Sequence, residues 1–328
     1  MLPRRVLLRT AALGLIAVPR AVAAQTRRVW RVGFLGDGPR AERVAISLEP
    51  FRMGLRGLGY VEGQNLAIEE RWTDGRVEQL PLLVEDLVRL KVDVIVTHGV
   101  RAIRASQAAT TAIPIVMAVS PDPIATGLVA SLSRPGGNTT GLTDQVAELG
   151  EKEVQVLRDV VPGVRRVAIL WHEGNPGAQV TFDQTRVAAA KVGLGITIVG
   201  VRSAEELDGA LAQVASGRPD ALIVIHDVLT VSHRARIARL ALQYKLPSIC
   251  GSSPYVDAGG LVAYAPDLPA LFSRAAVYVD RILRGAAPAN LPIEQPTRFH
   301  LRINLRTARA LGLTIPPAVL ARADEVIE

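Results

Sequence analysis

The chain has 328 residues, 49% of them hydrophobic and 21% charged, a balance that excludes a disordered chain and leaves room for two domains. Its formal net charge of +7 falls to +3 if the first 24 residues, with Arg4, Arg5, Arg9 and Arg20, are removed; no basic run interleaved with aromatics then remains to argue for nucleic acid. The single cysteine, Cys250, excludes an intramolecular disulfide and lies in an apolar stretch that predicts burial.

Residues 1–24 read as an export signal. Three arginines precede an apolar run over 11–18, and Ala21-Val22-Ala23-Ala24 offers small residues for cleavage near Ala23 or Ala24. The run is far shorter than the roughly 20 residues of a membrane-spanning helix. Arg4-Arg5 leaves the general and twin-arginine routes both open. No cysteine follows the segment at its cleavage point, so no lipid anchor is expected, and the mature protein should be soluble and periplasmic.

After the signal, 32–36 predicts a strand, and Ala45, Leu48, Phe51, Leu55 and Leu58 predict a helix that stops at Gly59. Strands are expected over 65–72, 92–97 and 114–119, with helices over 80–90 and 101–110 between them. Ser133-Arg-Pro-Gly-Gly-Asn138 is the densest turn cluster, and a short strand over 139–143 leaves the first unit there. A helix over 148–160 leads to the stretch 167–179, VAILWHEGNPGAQ, which reads as strand, turn and helix onset. The pattern then alternates: helix 178–191, strand 195–201, helix 204–215, strand 221–225, helix 232–244, strand 247–250. A Gly-led strand over 259–264 and a long helix over 268–283 follow, then an extended 288–296, a strand over 299–305 and a helical tail from 306.

The first half recurs in the second. Val32-Gly-Phe-Leu-Gly36 parallels the strand at Val167, Asp93-Val-Ile-Val-Thr-His98 parallels Asp220-Ala-Leu-Ile-Val-Ile-His226, and Ile113-Pro114 parallels Leu246-Pro247. Offsets of about 127 to 135 residues predict two similar α/β units, each a doubly wound parallel sheet. The expected lobes are 25–143 plus about 261–290, and 144–260 plus about 297–328, with three crossings between them.

Several motifs carry a family likeness: Tyr60-Val-Glu-Gly-Gln-Asn65, Leu132-Ser-Arg-Pro-Gly-Gly-Asn-Thr-Thr-Gly141, Asp280-Arg-Ile-Leu-Arg-Gly285, Leu291-Pro-Ile-Glu-Gln-Pro-Thr-Arg-Phe299, and the run from Ile303 to Pro317. Together they resemble the exported solute-binding proteins of ABC-type uptake systems, in the branch that includes tryptophan and tyrosine binders. The likeness covers essentially the whole chain. It implies a periplasmic-binding-protein fold of type I, with three crossovers, whose lobes close on a small molecule by hinge bending. It also implies a permease in the membrane as partner. It does not name the ligand, because these motifs belong to lobe packing and crossings.

In open α/β sheets ligands gather at the carboxyl ends of strands. That rule selects Asp37, His98, Gly99, Ser120 and Asp122 in the first unit, and Trp171, His172, Asn175, His226, Asp227, Ser252, Ser253 and Tyr255 in the second. Each has two readings. His98 and His226 either meet the ligand or are hydrogen-bonded where they stand, and Trp171 either stacks on a flat ligand or packs in the core. Asp227 and Asp122 either pair with a ligand ammonium or cap the next helix. A ligand anion could be held by free amides after Gly99 or at Pro176-Gly177, with Arg101 nearby. Aromatic candidates are few, so an amino acid and another small carboxylate fit equally well.

Rival functions are weaker. The chain lacks a Gly-x-Gly-x-x-Gly turn, a Walker loop, a Gly-x-Ser-x-Gly elbow and a His-Glu-x-x-His pair, so no enzyme, cofactor or metal is expected. A transcription regulator of this architecture would need a DNA-binding segment where the export signal stands. Delivery to a permease and presentation to a sensor kinase both remain open, and nothing argues for more than a monomer.

Overall fold

A computed structural model describes residues 28–144 and 149–328. The expected export segment lies outside the described residues, as does residue 148.

Two sheets organise the chain. The first is five-stranded, in the order β2-β1-β3-β4-β5, from β1 (Trp30–Gly36), β2 (Leu66–Trp72), β3 (Val94–His98), β4 (Ile115–Val119) and β5 (Thr139–Gly141), all parallel. The second is seven-stranded, in the order β12-β11-β10-β9-β8-β6-β7. Its strands are β6 (Arg166–His172), β7 (Gly195–Val201), β8 (Ala221–Val224), β9 (Ser248–Cys250), β10 (Val262–Pro266), β11 (Phe299–Asn304) and β12 (Glu325–Ile327). Only the β10–β11 pairing is antiparallel among those described.

The apolar runs are continuous because helices cover both faces of each sheet. All five residues of β3 are buried, as are the last six of β6. Helix Leu48–Gly57 turns Leu48, Phe51 and Leu55 inward, and Phe272, Ala276 and Val279 of helix Leu268–Leu283 join them over the first sheet. On the second sheet, Val154 and Leu157 of helix Leu149–Val160 pack with Ile169, Phe182 and Ile249.

The chain passes between lobes three times: after β5, between β10 and the helix at Leu268, and between the one-turn 3-10 helix Pro288–Asn290 and β11. The second passage corrects the expected boundary near 261. β10 pairs with β9 and β11, so it completes the second sheet, and the chain crosses only at Asp267, whose side chain accepts the Ala270 N–H and caps the long helix. Two further differences are local. The helix expected over 232–244 is Arg234–Gln243, and a short helix that was not expected, Val228–Ser232, precedes it, the two separated at His233. The short β12 pairs with β11 at the sheet edge, too brief for its periodicity to announce it.

The carboxyl edges of the two sheets meet. Glu42 of the first lobe pairs with Arg234 of the second at 3.4 Å. Gly177, at the start of helix Pro176–Lys191, lies so close to the first lobe that a Cβ there would stand 2.6 Å from Pro121 Cγ and 3.2 Å from Val100 Cγ2. The lobes are in contact across the cleft.

Candidate functional site: a cavity between the lobes

On the first lobe, the ends of β1 and β3 are tied together. The Asp37 N–H donates to His98 Nε2 at 3.2 Å, and the Thr73 hydroxyl donates to Asp37 Oδ1 at 3.2 Å. His98 is buried and sets its ring edge-on against Phe272. Burial, aided by the nearby Arg43 charge, holds the His98 pKa well below its ordinary value, which leaves the neutral ring whose Nε2 accepts from Asp37. Burial also raises the Asp37 carboxyl, against the opposing pull of Arg101. After Gly99, at φ +78°, helix Val100–Ala109 begins with no side-chain cap.

On the second lobe, Asp227 is the hub. Its Oδ1 accepts the Thr230 N–H at 2.9 Å in a capping box; its Oδ2 accepts from Asn175 Nδ2 at 3.0 Å and from His172 Nδ1. Burial would raise this carboxyl, but the bonds from His172, Thr230 and Asn175 outweigh it and hold the pKa low. Asn175 spends its own Oδ1 capping helix Pro176–Lys191 through the Gly177 N–H.

One hydrogen bond links the lobes inside the cleft. His226 Nε2 donates to Asp144 Oδ2 at 3.1 Å, while the Asp144 N–H is held by the Ser120 carbonyl of the first lobe. Burial would lower the His226 pKa; the Asp144 bond, with the charges of Asp144, Glu153 and Asp227, reverses this and raises it. Glu153 stands on the far side of His226, both crowding Gly251, and burial pushes its carboxyl up to about 7.

Between these groups lies a cavity of about 80 Å³. His98, Gly99, Asn175, His226 and Asp227 line it as the strand-end rule expects. Its wall also includes Arg43, Asp144, Pro121 and Gly177, which sequence reasoning passed over. Asp144 follows the carboxyl end of β5, so the same rule applied to that short strand would have found it. Arg43 lies on the short helix Arg40–Arg43 with no pattern to mark it. It is 8% exposed, its side chain pressed against Gly38, and its Nε has no hydrogen-bond partner among the described residues. Asp144 Oδ1 and His226 Nδ1 are likewise buried and unpartnered.

The other candidates stand elsewhere. Asp37 lies behind His98 rather than in the wall, and His172 lines a neighbouring cleft with Arg101 and Arg202. Ser120 acts through its carbonyl, which also accepts the Thr143 hydroxyl at 2.6 Å. Asp122 Oδ1 accepts the N–H groups of Ile124 and Ala125 in a turn. Trp171 packs in the core, stacked on Phe182 at 4.6 Å between ring centroids. Tyr255 is buried, its hydroxyl bonded to Ser248 Oγ at 2.7 Å, and Ser252 is buried beside it without lining the cavity. Ser253 lines a separate pocket with Arg302. Among the described residues no cluster of three metal-ligating side chains occurs, and no helix is long and apolar enough to cross a membrane.

Residues 45–327 match the family described as ABC transporter substrate binding protein. The chain belongs to that family. It is 25% identical over 263 residues to a tyrosine-binding protein of Clostridioides difficile, covering 80% of this chain and 75% of that one. Among solved structures, it resembles an ABC domain in complex with L-Trp from Streptococcus pneumonia, at 26% identity and a TM-score of 0.86, over 91% of this chain and all (100%) of that one. A conserved domain protein from Vibrio cholerae is similar at 27% identity and a TM-score of 0.87, with the same coverage of 91% and 100%. The two lobes and three passages are those of the type I periplasmic binding proteins, as the resemblance implied. The family is one of solute-binding proteins rather than enzymes.

Proposed function

We propose that this protein is the exported solute-binding component of an ABC uptake transporter. It captures a small amino acid or other small carboxylate between its lobes, closes by hinge bending and presents the closed form to a membrane permease. The observation that carries the reading is the buried guanidinium of Arg43 facing an inter-lobe cavity with its Nε unpartnered. A buried guanidinium with one donor left unpaired is costly to hold out of water, so a ligand carboxylate that pairs with it favours the closed form over the open one. The names of its relatives support an amino acid. The arginine-rich, apolar N-terminal segment supports export to the periplasm, where the protein would act as a monomer.

Native mass spectrometry of protein purified from the periplasm without refolding tests this. A discrete added mass that is lost on unfolding is expected. A ligand-free protein whose melting temperature also fails to move with any amino acid or small carboxylate would sink the reading.

A further inference from the structure

The unpartnered groups in the cavity are of opposite sign. Arg43 offers a buried donor and a positive charge, while Asp144 Oδ1 offers a buried acceptor. Arg43 is 8% exposed and Asp144 3%, so neither is satisfied by bulk water. The positive end of the cavity is reinforced by helix Val100–Ala109, which starts at Gly99 in the wall without a side-chain cap. The other helix onset is occupied, because Asn175 caps it, and both oxygens of Asp227 are engaged. His226 Nδ1 is also unpartnered but turns toward Gly251 and Glu153, so Arg43 and Asp144 are the charged groups left open to a ligand.

Much of the rest of the wall is aliphatic. Val100, Val119, Pro121, Ala178, Val231 and Leu268 face the space, and among the described residues no phenyl, phenol or indole does. The rings that could have stacked on an aromatic ligand are used elsewhere, Trp171 on Phe182 and Tyr264 on Phe299. A cavity of about 80 Å³ holds about five to eight water-sized groups, which suits a molecule of the size of alanine or valine, is close to leucine, and falls well short of tyrosine or tryptophan.

We infer that the cavity selects a zwitterionic α-amino acid with a short aliphatic side chain, its carboxylate on Arg43 and its ammonium on Asp144 Oδ1. This rests on the solute-binding reading above and narrows its ligand. It departs from the aromatic ligands in the names of the relatives. Each ligand charge satisfies a group that closure alone would strand, so closure and binding are coupled through the same two residues.

Titration calorimetry on the full mature chain tests this, with alanine, valine, leucine, tyrosine and tryptophan as ligands. Isovalerate and valinamide are added as probes that lack the ammonium or the carboxylate. Valine or leucine should bind, both probes should lose at least 100-fold, and the aromatic amino acids should bind at least 100-fold more weakly. Arg43→Met should abolish valine binding while the melting temperature holds or rises, because it removes a buried donor that has no acceptor. Asp144→Asn should reduce the discrimination between valine and isovalerate to under tenfold.

Tighter binding of tryptophan or tyrosine than of valine would overturn the inference yet leave the uptake reading standing. So would equal affinity for valine and isovalerate, or full valine affinity in folded Arg43→Met. Absence of any ligand, in this series and by native mass spectrometry, would overturn both.

Discussion

Asp144, held to the first lobe by the Ser120 carbonyl, accepts a 3.1 Å hydrogen bond from His226 at the end of β8 in the second lobe. The bond ties the segment on which the chain leaves the first sheet to the second lobe. It couples the cleft to whatever changes the charge on His226.

Proton binding should therefore tune affinity. The folded pKa of His226 is raised above 6.5, so its contribution is fully present below that value and is lost as pH rises through the folded value. Ligand affinity should fall on going from pH 6 to pH 9. His226→Gln should flatten that profile in calorimetry, and an unchanged slope would remove His226 from the closing contact.

Glu153 carries a separate pH dependence, of stability rather than of closure. Its carboxyl is raised by burial from 4.5 to about 7. The neutral form is thus favoured in the folded chain, and stability should decline as pH rises from about 4.5 to about 7. The shift corresponds to a loss on the order of 3 kcal/mol. Glu153→Gln should remove the decline and raise the melting temperature at pH 8; a mutant that melts lower there would contradict the assignment.

Trp171 is a core residue, buried against Phe182. Trp171→Ala should cost roughly 3–5 kcal/mol by urea unfolding. Protein that remains folded should bind its ligand with affinity within a few-fold of the parent. A mutant of normal stability that no longer binds would return the indole to the site.

Gly177 probes closure itself. A Cβ there would stand 2.6 Å from Pro121 Cγ across the cleft, a clash that arises only when the lobes meet. Gly177→Ala should leave stability within about 1 kcal/mol, since alanine favours the helix, yet weaken ligand binding about tenfold or more. Small-angle scattering should show no contraction of the mutant at ligand concentrations that contract the parent.

Much of the fold could be read from pattern. Continuous Val/Ile-rich runs, the recurrence of Asp93–His98 as Asp220–His226, and the Pro-Gly punctuation each reflect local requirements of buried parallel strands and the turns between them. The membership of β10 could not be read this way. Its five residues suit either sheet, and pairing with β9 and β11 decides the matter.

The candidate site divides along the same line. Strand ends point to the cleft by topology, which is why His98, Gly99, Asn175, His226 and Asp227 were found from residue order. Whether a polar group there is free depends on partners far along the chain. Asp227 looked available and is consumed by His172, Asn175 and Thr230. Arg43 carried no sequence signal and stands open-handed, because folding buries it beside the cavity without supplying an acceptor for its Nε. Local periodicity and turn chemistry are encoded within a few neighbouring residues, and so the lobes and their strand ends follow from residue order. Hydrogen-bond satisfaction is a property of the assembled interior, and so which polar groups in the cleft stay unpaired was decided only where the two lobes came together.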